Sequence, residues 1–171
     1  MRAGDGATKP VVAVVLAAGL GTRMKSRLPK VLHEAAGRPL LSWVLDAARA
    51  AGCERIVAVV GHGAEEVQQR CAAPDVRFVL QERQLGTGHA LAQAAPEVPG
   101  EATVLVLSGD VPLVRVETLR ALLAAAGDGG AAMAVADLDE PGSLGRVLAT
   151  GDGRLAAIVE AKDAEIGRAH V

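Results

Sequence analysis

Leu16-Ala-Ala-Gly-Leu-Gly-Thr-Arg-Met-Lys-Ser-Arg-Leu-Pro-Lys30 is the stretch whose reading decides the fold. It continues an unbroken apolar run that begins at Val11, the pattern of a strand buried on both faces of a parallel sheet. Gly19 and Gly21 mark the turn that follows. Arg23, Lys25, Arg27 and Lys30 then arrive in quick succession, and no Asp or Glu occurs between Gly6 and His33. In a chain of net charge -2 this is a local positive island. Glycines allow positive φ and close backbone approach. Successive N–H groups can then converge on an anion, with Arg23 and Lys30 adding charge-assisted contacts to phosphate oxygens. A phosphate-rich ligand at the carboxyl end of the first strand follows. The loop is neither G-x-G-x-x-G, which fails at its third glycine, nor a Walker A string. Taken only as a short Gly-rich turn, it is also readable as an ordinary βα connection.

Outward from this loop, the chain alternates strands and helices. Leu41, Val44, Leu45 and Ala48 lie on one helical face after Pro39, with Gly52 as its stop. Arg55 to Val60 is a second strand, a helix carries Ala64, Val67 and Cys71, and Val76 to Leu80 is a third strand. A loop to Gly88 and a short helix, His89 to Ala95, come next. Thr103 to Leu107 is a fourth strand, Val116 to Ala126 a helix, and Ala131 to Leu138 a fifth strand. Val147 to Thr150 and Leu155 to Glu160 form a hairpin turned at Gly151-Asp-Gly153. Right-handed βαβ crossovers make this an α/β, three-layer, Rossmann-like sandwich with a mostly parallel sheet and a late antiparallel hairpin.

The chain has 171 residues, half of them apolar, with one Trp, one Phe and no Tyr, so Val, Leu, Ile and Ala must fill the core. Near-neutral charge argues against a nucleic-acid binder. Cys53 and Cys71 show neither metal spacing nor a disulfide framework and read as small buried side chains. No apolar run is long enough to cross a bilayer and Met1 to Pro10 is no signal peptide, so a cytoplasmic location is expected. His33, His62 and His89 read as local hydrogen-bonding residues, not ligands or bases.

Ser108-Gly109-Asp110 also follows a strand directly, and in an open parallel sheet both loops open on one edge. Asp110 would face the phosphates and repel them unless a cation intervened, for which Mg²⁺ is apt. A turn or N-cap role is the plain alternative.

The full string L-A-A-G-x-G-T-R-M-x-S-x-L-P-K resembles the signature of the sugar-phosphate nucleotidyltransferases, and most of all the uridylyltransferase (pyrophosphorylase) domain of the bifunctional GlmU family. That resemblance implies a GT-A-like nucleotidyltransferase fold over residues 11–164. It implies transfer from UTP to N-acetylglucosamine-1-phosphate, giving UDP-N-acetylglucosamine and pyrophosphate. Arg23 and Lys30 become catalytic, and Leu16, Ala17, Ala18, Gly19, Gly21, Thr22, Ser108 and Gly109 bind the nucleotide. Leu107-Ser-Gly-Asp-Val-Pro-Leu113 is similar to the family's metal motif, with Asp110 on Mg²⁺. Gln81-Glu-Arg-Gln-Leu-Gly-Thr-Gly-His-Ala90 resembles the segment whose Gln and Gly-Thr contact uracil, here Gln81, Gly86 and Thr87. Leu144-Gly-Arg-Val147 and Ile158-Val-Glu-Ala-Lys-Asp163 resemble the sugar-contacting motifs and assign Gly145 and Glu160.

The resemblance ends near Ala164. Downstream, the family carries two further Asn ligands, of sugar and metal, then an acetyltransferase domain, and it forms oligomers. A C-terminally incomplete domain is therefore expected. Residues 1–10 read as a flexible lead, and 165–171 as an artefactual tail that matches a translated sequencing adapter. An intact genomic frame running through those seven codons would refute that last reading. Two rivals stay open: a relative using another sugar or alcohol phosphate, and a nucleotide-binding module without turnover.

Overall fold

The computed structural model describes residues 9–21, 24–127, 129–159, 161 and 163. Thr22, Arg23 and Glu160 among the candidate site residues, the lead before Lys9 and the 165–171 tail lie outside the described residues. The chain divides into two compact units, Met1–Ala132 and Met133–Val171.

In the first unit, β1 (Val11–Ala17), β4 (Arg55–Val60), β5 (Val76–Leu80) and β6 (Thr103–Ser108) form a parallel sheet in the order β5-β4-β1-β6. Alternate residues of β1 enter two different cores. Ala13, Val15 and Ala17 join Ile56, Val60, Leu105 and Leu107 on one face, under α1 (Leu40–Ala51), α2 (Ala64–Cys71) and α4 (Val116–Ala126). Val12 and Val14 join Val57 and Val59 on the other, under Ala90 and Ala94 of α3 (Thr87–Ala94). This double burial is why β1 and β4 read as continuous apolar runs.

Helix α1 buries Leu41, Val44, Leu45, Ala47 and Ala48 and ends at Gly52, whose φ of 101° is the left-handed cap. A short ribbon, β2 (Glu34–Ala35) and β3 (Arg38–Pro39), precedes it. Its carbonyl at Ala35 accepts the Trp43 indole N–H at 3.0 Å. Helix α3 begins at Thr87, two residues before the expected His89.

The expected strand at Ala131 to Leu138 is absent: this segment has no regular structure among the described residues, and Met133, Val135 and Leu138 are exposed. A strand needs a neighbour to take its ladder bonds, and none pairs here. In the second unit the hairpin is present, with β7 (Arg146–Ala149) antiparallel to β8 (Leu155–Val159) and Thr150 N–H bonded to the Arg154 carbonyl across the turn.

Candidate functional site

The loops after β1 and β6 emerge side by side because β1 and β6 are parallel neighbours, with Leu16 opposite Ser108. Gly109 N–H donates to the Leu16 carbonyl at 2.9 Å. A Cβ on Gly109 would lie 3.2 Å from that oxygen and 3.3 Å from Ala17 Cβ, so glycine lets the second loop dock on the first strand. Asp110 is thereby carried to the mouth of the first loop, where its carboxylate forms an ion pair with Lys30 Nζ.

Of the two glycines in the β1 loop, only Gly21 takes positive φ, at 60°. A Cβ there would meet Lys30 Cβ at 2.9 Å, so the loop and the Lys30 turn close on each other through that glycine. The Gly19, Leu20 and Gly21 N–H groups donate to no described residue, which leaves them available to an anion. Lys25 and Arg27, counted in the positive island, are exposed.

Two of the cavities that flank this loop gather the candidate residues. One, of about 220 Å³, is lined by Leu16, Ala17, Gly19, Gly21, Lys30 and Asp110 among others. The second, of about 290 Å³, adds Ala18, Gln81, Gly86, Thr87 and Ser108 to Leu16 and Gly19. The structure thus gathers eleven candidate residues at one sheet edge, with Gly109 behind them. Gly145 belongs to the second unit, where it precedes β7.

Gln84 and Gln93 had no role in the sequence reading, whereas His89 makes the local hydrogen bonds expected of it. Gln84 Nε2 donates to the Ala18 carbonyl at 2.7 Å, tying the loop after β5 to the loop after β1. Gln81, 4% exposed, bonds the Gly86 carbonyl and His89, and His89 meets Gln93. The second Gln of Q-x-x-Q was visible as a motif position, but nothing in the sequence says that it reaches a residue 66 positions away.

Among the described residues no group of three or more His, Cys, Asp and Glu could hold a metal by itself. Asp110 nevertheless suits one. It offers a hard carboxylate at a cleft, its partner here is a cation, and Mg²⁺ is commonly held by one or two carboxylates with substrate phosphates and water. Burial pushes the Cys53 thiol up to about 11 and raises that of Cys71, so neither is a nucleophile for this site. No described helix is long and apolar enough to cross a membrane.

Residues 13–169 match the model of the MobA-like NTP transferase domain. The chain is 54% identical over 151 residues to the bifunctional protein GlmU of Cellvibrio japonicus, covering 88% of this chain and 33% of that one. It therefore spans about a third of the length of the curated relatives it matches. Among solved structures it resembles Rv0371c of Mycobacterium tuberculosis, with TM-score 0.61 and 30% identity over 68% of this chain and 60% of that one. The manganese complex of Rv0371c gives TM-score 0.58 at 30% identity, covering 68% and 59%.

Proposed function

The chain belongs to the MobA-like NTP transferase family, and on that footing we propose that it serves uridylyl transfer from UTP to N-acetylglucosamine-1-phosphate. The reading is supported most by one observation: Lys30 and Asp110 meet at the mouth of a glycine loop whose N–H groups have no described partner. Cation, backbone donors and a metal-suited carboxylate on one edge are the equipment of phosphoryl chemistry. The 54% identity to a GlmU protein supports the choice of acceptor.

In this reading the acceptor's phosphate oxygen attacks the α-phosphorus of UTP in line. The bond to the bridging oxygen breaks, and pyrophosphate leaves with the electron pair. No covalent enzyme intermediate is required, so positioning and charge neutralisation carry the rate. Lys30 neutralises phosphate oxygens, Arg23 stabilises the departing pyrophosphate, and the loop N–H groups bind the triphosphate. Asp110 would hold Mg²⁺, which lowers repulsion between the phosphates and the incoming anion. Gln81, Gly86 and Thr87 receive the uracil, with Gly145 and Glu160 assigned to the sugar. Uridylyl transfer to a cell-wall sugar phosphate would place the work in the cytoplasm.

The test is calorimetric titration with each nucleoside triphosphate and Mg²⁺, beside a pyrophosphate-release assay with N-acetylglucosamine-1-phosphate. UTP-selective binding with release supports transfer. Binding without release favours a nucleotide-binding module, a reading that the lack of a self-sufficient metal cluster among the described residues keeps in play. Failure to bind any triphosphate would end both.

A further inference from the structure

Gln81 is the only buried polar or charged residue among the described residues, and its neighbours dictate which way its amide faces. Its Nε2 lies 3.2 Å from the Gly86 carbonyl oxygen and 2.9 Å from His89 Nδ1. A carbonyl oxygen only accepts, so the Gln81 atom facing it must be the NH₂ group. That same NH₂ faces Nδ1, so Nδ1 must be the acceptor. The proton of a neutral His89 then sits on Nε2, and the Gln93 amide, whose nitrogen lies 3.4 Å away, must turn over so that its oxygen accepts that proton. Gln81 Oε1 is left without a described partner, on a side chain that lines the second cavity.

We propose that His89 is a specificity-determining positioning residue. By keeping Nδ1 as an acceptor it fixes Gln81 with Oε1 free for the base, and the cavity then admits a pyrimidine with hydrogen on N3. Uracil offers N3–H to that oxygen. Cytosine offers a lone pair at N3, and two acceptors would face each other at a side chain that is only 4% exposed. Turning the amide over would relieve cytosine, but it would set Oε1 against the Gly86 carbonyl and against Nδ1. Discrimination arises because a buried polar mismatch has no water to repair it. This rests on the reading above that the second cavity takes the base of a nucleotide.

The experiment is calorimetric binding of UTP and CTP to the full chain, to His89→Leu and to His89→Asn, with kcat for UTP measured in parallel. Asn places an amide oxygen near the Nδ1 position. The parent binds UTP over CTP. His89→Leu narrows that ratio about tenfold, the scale of one lost orienting hydrogen bond, and lowers kcat for UTP less. His89→Asn keeps most of the ratio. Nitrogen NMR of the parent shows neutral His89 protonated at Nε2, a readout that needs no variant to fold. A parent without UTP preference removes the base-pocket reading itself. A parent with that preference, whose His89→Leu variant keeps the full ratio, overturns the His89 inference alone. So does an Nδ1–H tautomer.

Discussion

Lys30 is constrained at both ends of its side chain. Its Cβ lies where any side chain on Gly21 would have to go, and its ammonium pairs with Asp110. Removing a preorganised cation from phosphoryl chemistry typically costs about 100-fold in rate. Lys30→Ala and Arg23→Ala are each expected to cut pyrophosphate release by about that factor while the protein keeps its melting temperature within a few degrees; turnover near the parent's would remove that residue from the mechanism. The cysteines make an opposite case. With its thiol pushed up to about 11 by burial, Cys53 holds little thiolate at neutral pH. Iodoacetamide should label folded protein far more slowly than urea-unfolded protein, as read by mass spectrometry. The glycine and cation pattern at this scale was legible in the sequence, because turn chemistry and charge are local properties. The link from Gln81 to His89 was not, since it depends on a loop folding back onto the first turns of α3.

At the scale of elements, β1, β4 and β5 were readable to within a residue, because their apolar runs are bounded by turn residues. Ala131 to Leu138 misled because its alternation of small and branched apolar residues describes a surface fit for a sheet, and pairing is decided elsewhere. Helix α1 is tied to the start of β5 by a fork: Arg49 Nε donates to Asp75 Oδ2 at 2.7 Å and Arg49 Nη2 to Oδ1 at 3.0 Å. The Arg49 hydrogen bonds hold the Asp75 carboxyl below its ordinary range. A carboxylate with a lowered folded pKa stabilises fully above the unfolded value, about 3.9, and less as pH falls through the folded one. Both groups are about a third exposed, which discounts the effect to roughly 1 kcal/mol or less. Arg49→Ala should destabilise by about that amount at pH 7, and the gap from the parent should shrink steadily as melts are taken at lower pH, from about 3.9 down through the folded pKa. An unchanged gap at acid pH would assign the loss to packing.

Across the whole molecule, the sheet's second face is unevenly covered. Val14 and Val106 are register partners, yet Val14 is fully buried and Val106 is 44% exposed, as Val104 is at 40%. Val14→Thr places a hydroxyl in a closed core and should cost about 1–3 kcal/mol. Val106→Thr keeps the branched shape at a wet position and should stay within about 0.5 kcal/mol, both read from urea midpoints. Strand β6 is also an edge of its sheet, and an apolar edge invites association. Concentration-dependent light scattering should fall on Val106→Lys; scattering unchanged by that substitution would locate the adhesive surface elsewhere. The layered α/β architecture was legible from alternation of periods, whereas this imbalance was not, because covering a face is a property of distant segments.

Leu16 and Gly19 belong to the walls of both cavities. They act as a party wall between two rooms, and a tenant on one side leans on the other. If the two cavities take the base and the triphosphate as proposed, a bulky substituent on the pyrimidine would press on this partition from one side and disturb the tail seated on the other. Base preference measured with nucleosides should then differ in order from base preference measured with triphosphates.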